Sequence, residues 1–452
     1  MMKYFISILL TLMVIWFSKN MLKMLNIIFQ NMIIFIMFIF FIEFSYLKLN
    51  LLDFYSMDNF FGLDFFSFWM IMLSMWVIIL MMLASMKIVK MNNFLYLFIM
   101  NLLIMMLLLM MTFSVLNFLS FYILFEASLI PTLFLILGWG YQIERIQAGI
   151  YMMLYTLFAS LPFLLMLINL YQFEYTLDMI ILNIHKIEYK NIIFFFMMML
   201  AFLVKMPMFM VHIWLPKAHV EAPVAGSMIL AGVMLKLGGY GIYRIIFMIE
   251  GCLEFCCYIL VFSLIGGIYL SLVCLLQLDM KALVAYSSVV HMSLVIGGLM
   301  SLELFSIQGA YMMMIAHGLC SSGLFCMVNL FYERSLSRSL LINKGMLIFS
   351  PTMMMMWFLL CMGNMSAPPS LNLLSEIYLL IGLVSWSFML FSLLMMLLFF
   401  SGCYSLYLFS YVCYGKSLSL FSFYSFSVRD YMMILMHLVP LNLFILKIDI
   451  LL

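Results

Sequence analysis

Apolar runs of about 20 residues repeat along the whole chain and are separated by short polar stretches. A helix needs about this length to cross a hydrocarbon core roughly 30 Å thick, so the pattern predicts about fourteen transmembrane helices. Residues 1–17 are predicted to form the first helix rather than a signal peptide, because no small-residue cleavage site follows them. The short alternating segments typical of a membrane β-barrel are missing from the sequence. We therefore predict an all-α polytopic membrane protein.

Prolines interrupt two of the predicted spans. Lys205 and Pro207 lie inside the seventh span, and the stretch NMSAPPSLN, with Pro368 and Pro369, divides the twelfth. Proline lacks a backbone N–H and clashes with the preceding turn, so a helix does not pass unbroken through these positions. Backbone groups freed by a break must face protein or water. Two broken helices at matching places in two halves of a chain are typical of the ion pathways of transporters.

Composition and charge placement agree with a membrane location. Of the 452 residues, 68% are hydrophobic and 8% are charged, which excludes the charged shell of a soluble protein. If loops alternate and both termini share one side, the opposite side carries 12 Lys and Arg residues and the terminal side carries 5. The positive-inside rule then predicts that both termini lie on the outer side. We expect no nucleic-acid partner.

The sequence contains no motif for a cofactor or a metal ion. Its nine cysteines lack a second CxxC-like cluster that would complete a zinc or iron–sulfur site, so they are interpreted as packed free thiols. Neither a dinucleotide-binding GxGxxG motif nor a phosphate-binding P-loop motif occurs. The energy for any transport must therefore come from another gradient or from partner subunits.

Six ionisable side chains lie within predicted spans, where each costs about 2.5–3.5 kcal/mol at a helix centre. Along the chain, an acid comes first, followed by two lysines, two histidines and a second acid. These residues are Glu126, Lys205, Lys236, His291, His317 and Glu376. One such histidine is as often a hydrogen-bonded structural residue, and a lone charge near a span end is more often an interfacial anchor. Six on successive spans favour a water-linked relay that carries protons. Glu126 and Lys205 are predicted to pair and to act as its switch.

Polar residues between the seventh and eighth spans lie near the predicted inner surface. His212 and His219, together with Lys217 and Glu221, form either a proton inlet or a polar loop, and the sequence leaves both alternatives open. Histidine is suited to the first role because its proton affinity lies near neutrality. We therefore include the two histidines as candidate inlet residues.

Two further cations are predicted to lie at the membrane surfaces, outside the relay. Lys281 is expected to form a loop ion pair with Asp279 and to anchor the chain at the inner side. Arg244, at the end of the eighth span, is expected to extend its charge towards water while its stem stays in the membrane.

Long stretches around these residues resemble the antiporter-like membrane subunits of respiratory complex I, the NADH:ubiquinone oxidoreductase. They include KMPMFMVHIWLPKAHVEAPVAGSMILAGVMLKLGGYG, LDMKALVAYSSVVHM and APPSLNLLSEI, and the resemblance covers about residues 93–450. It implies fourteen helices with two inverted five-helix repeats and broken seventh and twelfth helices. The implied units are an N-terminal group of three helices (1–92), a first repeat (93–250), a second repeat (251–414) and a C-terminal loop with the last helix (415–452).

The resemblance also implies a role for each member of the series. Glu126 and Lys205 would be the pair on the fifth and seventh helices. Lys236 and the segment from His291 to His317 would bridge the two halves, and Glu376 would be the acid on the exit side. One departure is visible, because Met210 stands where relatives often have a small residue; it removes no titratable group.

Location, partners and cofactors are implied in the same way. The 53 methionines are typical of an arthropod mitochondrial gene, in which AUA encodes Met. The expected location is the mitochondrial inner membrane, with both termini towards the intermembrane space. The expected partners are other membrane subunits of the complex, above all neighbouring antiporter-like chains, and lipids such as cardiolipin. Flavin, iron–sulfur clusters and quinone would be bound by partner subunits, and none by this chain.

Three functions are compatible with these patterns. The first is a proton-translocating subunit that works only with partners. The second is a stand-alone cation/proton antiporter, which would need the same helices and the same ionisable series. The third is a structural membrane scaffold, which the charges inside the spans disfavour. Copurification with NADH dehydrogenase activity separates the first from the second.

Overall fold

A computed structural model describes six stretches of the chain: residues 1–17, 22–45, 60–185, 191–249, 253–416 and 424–450. These stretches are largely helical and contain three isolated β-bridges but no strand. Ten of their helices are long and apolar enough to cross a membrane, and four more are apolar but shorter. The prediction of an all-α polytopic membrane protein is confirmed.

The first half of the described chain contains long apolar helices and several short ones. In order they are α1 (Met2–Phe17), α2 (Leu22–Ser45), α3 (Phe65–Ala84), α4 (Met86–Met91), α5 (Leu95–Ser114), α6 (Phe118–Ala127), α7 (Leu129–Trp139), α8 (Arg145–Glu174), α9 (Met179–His185), α10 (Ile192–Lys205), α11 (Trp214–Glu221), α12 (Val224–Ile229) and, after a π-helical turn (Leu230–Met234), α13 (Leu235–Ile246).

The second half repeats the pattern of long helices around one broken helix. In order they are α14 (Leu253–Leu276), α15 (Met280–Met300), α16 (Leu304–Ser335), α17 (Met346–Phe349), α18 (Pro351–Asn364), α19 (Leu371–Trp386), α20 (Leu390–Cys413) and α21 (Val428–Leu443), followed by a 3₁₀ turn (Phe444–Ile450).

The first predicted break separates α10 from α11. The helix stops at Lys205 because Pro207 cannot continue it. The indole of Trp214, at the start of α11, donates to the carbonyl of Val204 at 3.1 Å, so this carbonyl near the break is satisfied by protein. Within the connecting loop, Met210 has a φ of 77°, in the left-handed region that favours glycine.

The second predicted break separates α18 from α19. The connection, residues 365–370, contains Pro368 and Pro369. The side-chain amide of Asn372 donates to the carbonyl of Gly363 at 2.6 Å, and thereby satisfies an acceptor at the end of α18. Both breaks are therefore lined by polar protein groups, as a break at membrane depth requires.

The centre of the fold is formed by the long middle part of α16 and by the helix from α12 to α13, both of which are buried. Glycines let these two helices approach closely. A Cβ atom added to Gly318 would lie 3.0 Å from the carbonyl oxygen of Gly232, which falls in the π-helical turn. This approach brings Lys236 on α13 next to His317 on α16.

Candidate functional site

The site is centred on Lys236, which is fully buried two residues after the end of the π-helical turn. In that turn the N–H of Leu235 bonds to the carbonyl of Leu230 instead of that of Ala231, and the Lys236 ammonium donates to Ala231. The same ammonium lies 3.0 Å from Nδ1 of His317. The helix irregularity thus fixes a buried cation beside an imidazole.

A second imidazole and an acid continue this row towards the second break. The rings of His317 and His291 have centroids 5.4 Å apart, and Nδ1 of His291 lies 3.7 Å from Oε1 of Glu376. The other oxygen of Glu376 accepts from the hydroxyl of Ser366 at 2.5 Å, while Nε2 of His291 lies 3.2 Å from the hydroxyl of Tyr404. Four of the six predicted residues therefore form one continuous buried row.

The other two predicted residues lie in the first half, at the break after α10. The Lys205 ammonium is buried, donates to the carbonyl of Phe125 at 2.6 Å and sits over the ring of the same residue. Within the described stretches, neither carboxylate oxygen of the adjacent Glu126 has a hydrogen-bond partner. Lys205 and Glu126 are close enough to interact electrostatically, and the ammonium donates to the carbonyl of the residue before the acid.

His219 on α11 is fully buried and stacks on Phe325 with a centroid distance of 4.7 Å. Neither of its ring nitrogens has a hydrogen-bond partner among the described residues. His212 lies outside this core, half-buried in the loop before α11, where it stacks on Phe209. The structure thus separates the two histidines that the sequence grouped together.

A cavity of about 290 Å³ lies beside α11. It has a mixed polar lining that includes two acids and one base, Glu144, Glu221 and Lys217, together with Gln277 and Tyr286. Burial raises the pKa of the Glu221 carboxyl, which favours proton binding at this cavity. The cavity is therefore suited to hold water and protons beside α11, the helix that also carries His219.

The surface roles predicted for two cations are wrong. Lys281 is buried and donates to the carbonyl of Ala222 at 3.1 Å, because it lies in the first turn of α15 and faces the end of α11. Carbonyls at a helix C-terminus attract cations. Arg244 is also buried and forms an ion pair of 2.7 Å with Asp64, because α13 continues alongside the start of α3.

Comparison with known sequences decides the family. A family described as "NADH-ubiquinone oxidoreductase chain 4, amino terminus" matches residues 1–112, and "NADH:quinone oxidoreductase/Mrp antiporter, TM" matches residues 115–403. NADH-ubiquinone oxidoreductase chain 4 of Aedes aegypti is 50% identical over 446 residues, which are 98% of either chain. The chain belongs to the NADH-ubiquinone oxidoreductase chain 4 family. The resemblance found in its motifs is confirmed.

Other chain 4 proteins and one solved structure agree with this family. Chain 4 of Locusta migratoria is 50% identical over 411 residues, covering 89% of this chain and 90% of the relative. A chain in the structure of respiratory complex I from Thermus thermophilus with bound NADH superimposes with a TM-score of 0.86 at 22% identity. The superposition covers 97% of this chain and 94% of that one, and shows that the two share a fold.

Three buried residues of this chain 4 family member were not predicted from the sequence: two that contact the row and one at the end of α11. Ser366 lies in the predicted second break, so a polar residue beside two prolines was the signal that could have revealed it. Tyr404 carries no such signal, being one of 25 tyrosines. Lys281 was assigned to the surface because a span boundary was placed after it. In the described stretches, no group of three His, Cys, Asp or Glu side chains could hold a metal ion.

Proposed function

We propose that this chain carries protons across the membrane as a subunit of NADH-ubiquinone oxidoreductase, driven by electron transfer in its partner subunits. The observation that carries the proposal is the continuous buried row from Lys236 through His317 and His291 to Glu376. Each of the four can bind and release a proton, and buried ionisable groups in a membrane are retained for function rather than stability. A scaffold would gain nothing from this arrangement.

The proposed route begins at the cavity beside α11. Protons pass from Glu221 to His219, whose two unpartnered nitrogens lie in the protein core, and then to Lys236. From Lys236 they follow the row to Glu376, the acid nearest the second break. Water completes the steps that exceed direct hydrogen-bond distance. Of the two candidate inlet histidines, burial favours His219 over the loop residue His212.

The switch in this proposal lies at the first break. Lys205 ends α10, so small movements of the loop behind Pro207 can shift its ammonium. A positive charge arriving near Glu126 would weaken the attraction of that carboxylate for Lys205. The lysine would then move from the Phe125 carbonyl towards the next proton acceptor.

The domain organisation and location belong to the same proposal. Residues 1–92, 93–250, 251–414 and 415–452 are the N-terminal helices, two inverted five-helix repeats and the C-terminal helix. The location is the mitochondrial inner membrane with both termini towards the intermembrane space, because positive charges are more frequent in the opposite loops. Neighbouring antiporter-like chains and lipids such as cardiolipin contact this chain. Partner subunits bind the flavin, the iron–sulfur clusters and the quinone.

Replacing Glu376 with glutamine tests the role of the row. The side chain keeps its size, its contact with Ser366 and its burial, but it can no longer release a proton. We expect the assembled complex in sealed vesicles to lose part of its proton yield per NADH oxidised. Glu303→Gln, an exposed change at the start of α16, is the matched control and should have no effect. Equal proton yields for both variants would refute the role of Glu376.

Membership of a complex separates this proposal from a stand-alone antiporter. We expect the chain, solubilised in mild detergent from native membranes, to migrate with NADH dehydrogenase activity on a native gel. The measurement is mass-spectrometric detection of this chain across the gel, aligned with an in-gel activity stain. Recovery mainly as an isolated oligomer, away from the stained band, would favour the antiporter.

A further inference from the structure

A buried ion pair lies at the C-terminal end of α13, the helix that carries Lys236. Nη2 of Arg244 lies 2.7 Å from Oδ1 of Asp64 and donates to the hydroxyl of Tyr240 at 2.9 Å. Asp64 is held in place by the backbone, because its carboxylate also caps α3 through the N–H of Ser67. The relay described above uses none of these groups.

The ion pair stands at the end of a polar column that begins at the relay. Lys236, Tyr240 and Arg244 follow one another at intervals of four residues, so they share one face of α13. The column runs from the buried centre towards the outer surface, where α3 begins. It is the most direct path by which a proton on Lys236 could leave without passing through His317.

The chemistry of the column opposes that path. The hydroxyl of Tyr240 donates its proton to the carbonyl of Phe113 at 2.9 Å and accepts from Arg244. An arginine has donors but no acceptor, and it keeps its proton at any physiological pH. A proton that reached Tyr240 therefore finds no acceptor on the next residue of the column, and the fixed positive charge repels it.

Aromatic side chains keep water away from the same place. Phe66 and Tyr243 stack with a centroid distance of 4.6 Å, and Tyr311 packs against Phe66 at 4.8 Å. All three side chains are buried. A chain of water molecules that could bypass Arg244 has little room beside them.

We propose that Arg244, held by Asp64 and Tyr240, is an electrostatic seal that blocks the direct outer route from Lys236 and sends its proton to His317. The proposal rests on the proposed function, because it needs Lys236 to carry protons. Without the seal, the inner cavity, His219, Lys236 and the column would form one continuous path across the membrane. The seal thus makes proton transfer depend on the row in the second half.

The test neutralises the whole pair in the assembled complex. Asp64→Asn and Arg244→Gln together keep a hydrogen-bonding group at each position and leave no unpaired buried charge, which is the mildest way to remove a buried pair. We expect the passive proton conductance of sealed vesicles to rise severalfold without NADH, while NADH oxidation with an uncoupler stays unchanged.

Two further variants make the result specific. Adding Lys236→Met to the double variant should abolish the leak, because the path runs through Lys236; a leak that persists is a packing defect and overturns the proposal. Vesicles of the double variant whose proton conductance does not rise overturn it as well.

If the double variant fails to assemble, Asp64→Asn alone provides the test, because it keeps the charge on Arg244. Its proton conductance should not rise, so a leak in this variant contradicts the seal. Failure of the proposed function gives a different result, because the complex with Lys236→Met alone would then show a normal proton yield per NADH.

The matched control is a buried ion pair away from the column. Arg334 and Asp430 lie 2.9 Å apart between α16 and α21, and Asp430 also pairs with Arg429 at 2.7 Å. Asp430→Asn with Arg334→Gln should reduce the amount of complex without raising the proton conductance of the complex that remains. A similar rise in proton conductance in this control would show that the loss of any buried ion pair lets protons pass through the chain.

Discussion

Replacing Lys236 with arginine is expected to stop proton transfer through this chain while the complex still assembles. Arginine keeps the positive charge and the donors that contact Ala231 and His317, but it does not release its proton. Positioned groups that donate and accept protons contribute about 10²–10⁴-fold to the rate of such steps. We therefore expect transfer through this chain to fall by at least about 100-fold.

The measurement is proton uptake or release per NADH in sealed vesicles that contain the assembled complex. Lys90→Arg, an exposed change on α4, is the matched control and should leave the proton yield unchanged. Lys236→Met removes the charge as well and should give the same loss. If arginine supports a normal yield, Lys236 provides only a fixed charge, and the relay does not pass through it.

The sequence predicts best what depends on hydropathy and on proline. Pro207, Pro368 and Pro369 mark both breaks, because a missing N–H weakens a helix. Proline alone does not suffice, since α8 and α21 continue through Pro162 and Pro440. The burial of Lys236, His291, His317 and Glu376 follows from their position in apolar runs. Their order along the row does not, because contact between helices depends on which faces meet. The close approach at Gly232 and Gly318 is one of the features that decide this.

The errors share one physical cause. Arg244 and Lys281 lie near span ends, where a long cation usually reaches water. In both cases a neighbouring element supplies a buried acceptor: the Asp64 carboxylate at the start of α3 and the Ala222 carbonyl at the end of α11. Tertiary partners of this kind are invisible to a rule that counts charges along the chain.

A change in the packing of α13 against α10 is expected to reduce assembly of the complex rather than proton transfer. A Cβ atom added to Gly241 would lie 2.0 Å from the ring of Phe202, far inside contact distance. Phe202 is buried on α10, one turn before Lys205, so the helix that carries the proposed switch would have to move. Overpacking of this kind typically costs about 1–3 kcal/mol, occasionally more.

Gly241→Ala is therefore expected to lower the amount of assembled complex severalfold, measured on native gels and by the rate of thermal inactivation. Gly138→Ala on α7, where an added Cβ meets no atom within 4 Å, is the matched control and should assemble normally. The clash has a specific remedy, because Phe202→Leu shortens the side chain that the new methyl group meets. The double variant should regain part of the lost complex; if it does not, the defect of Gly241→Ala has another cause than the contact between α10 and α13.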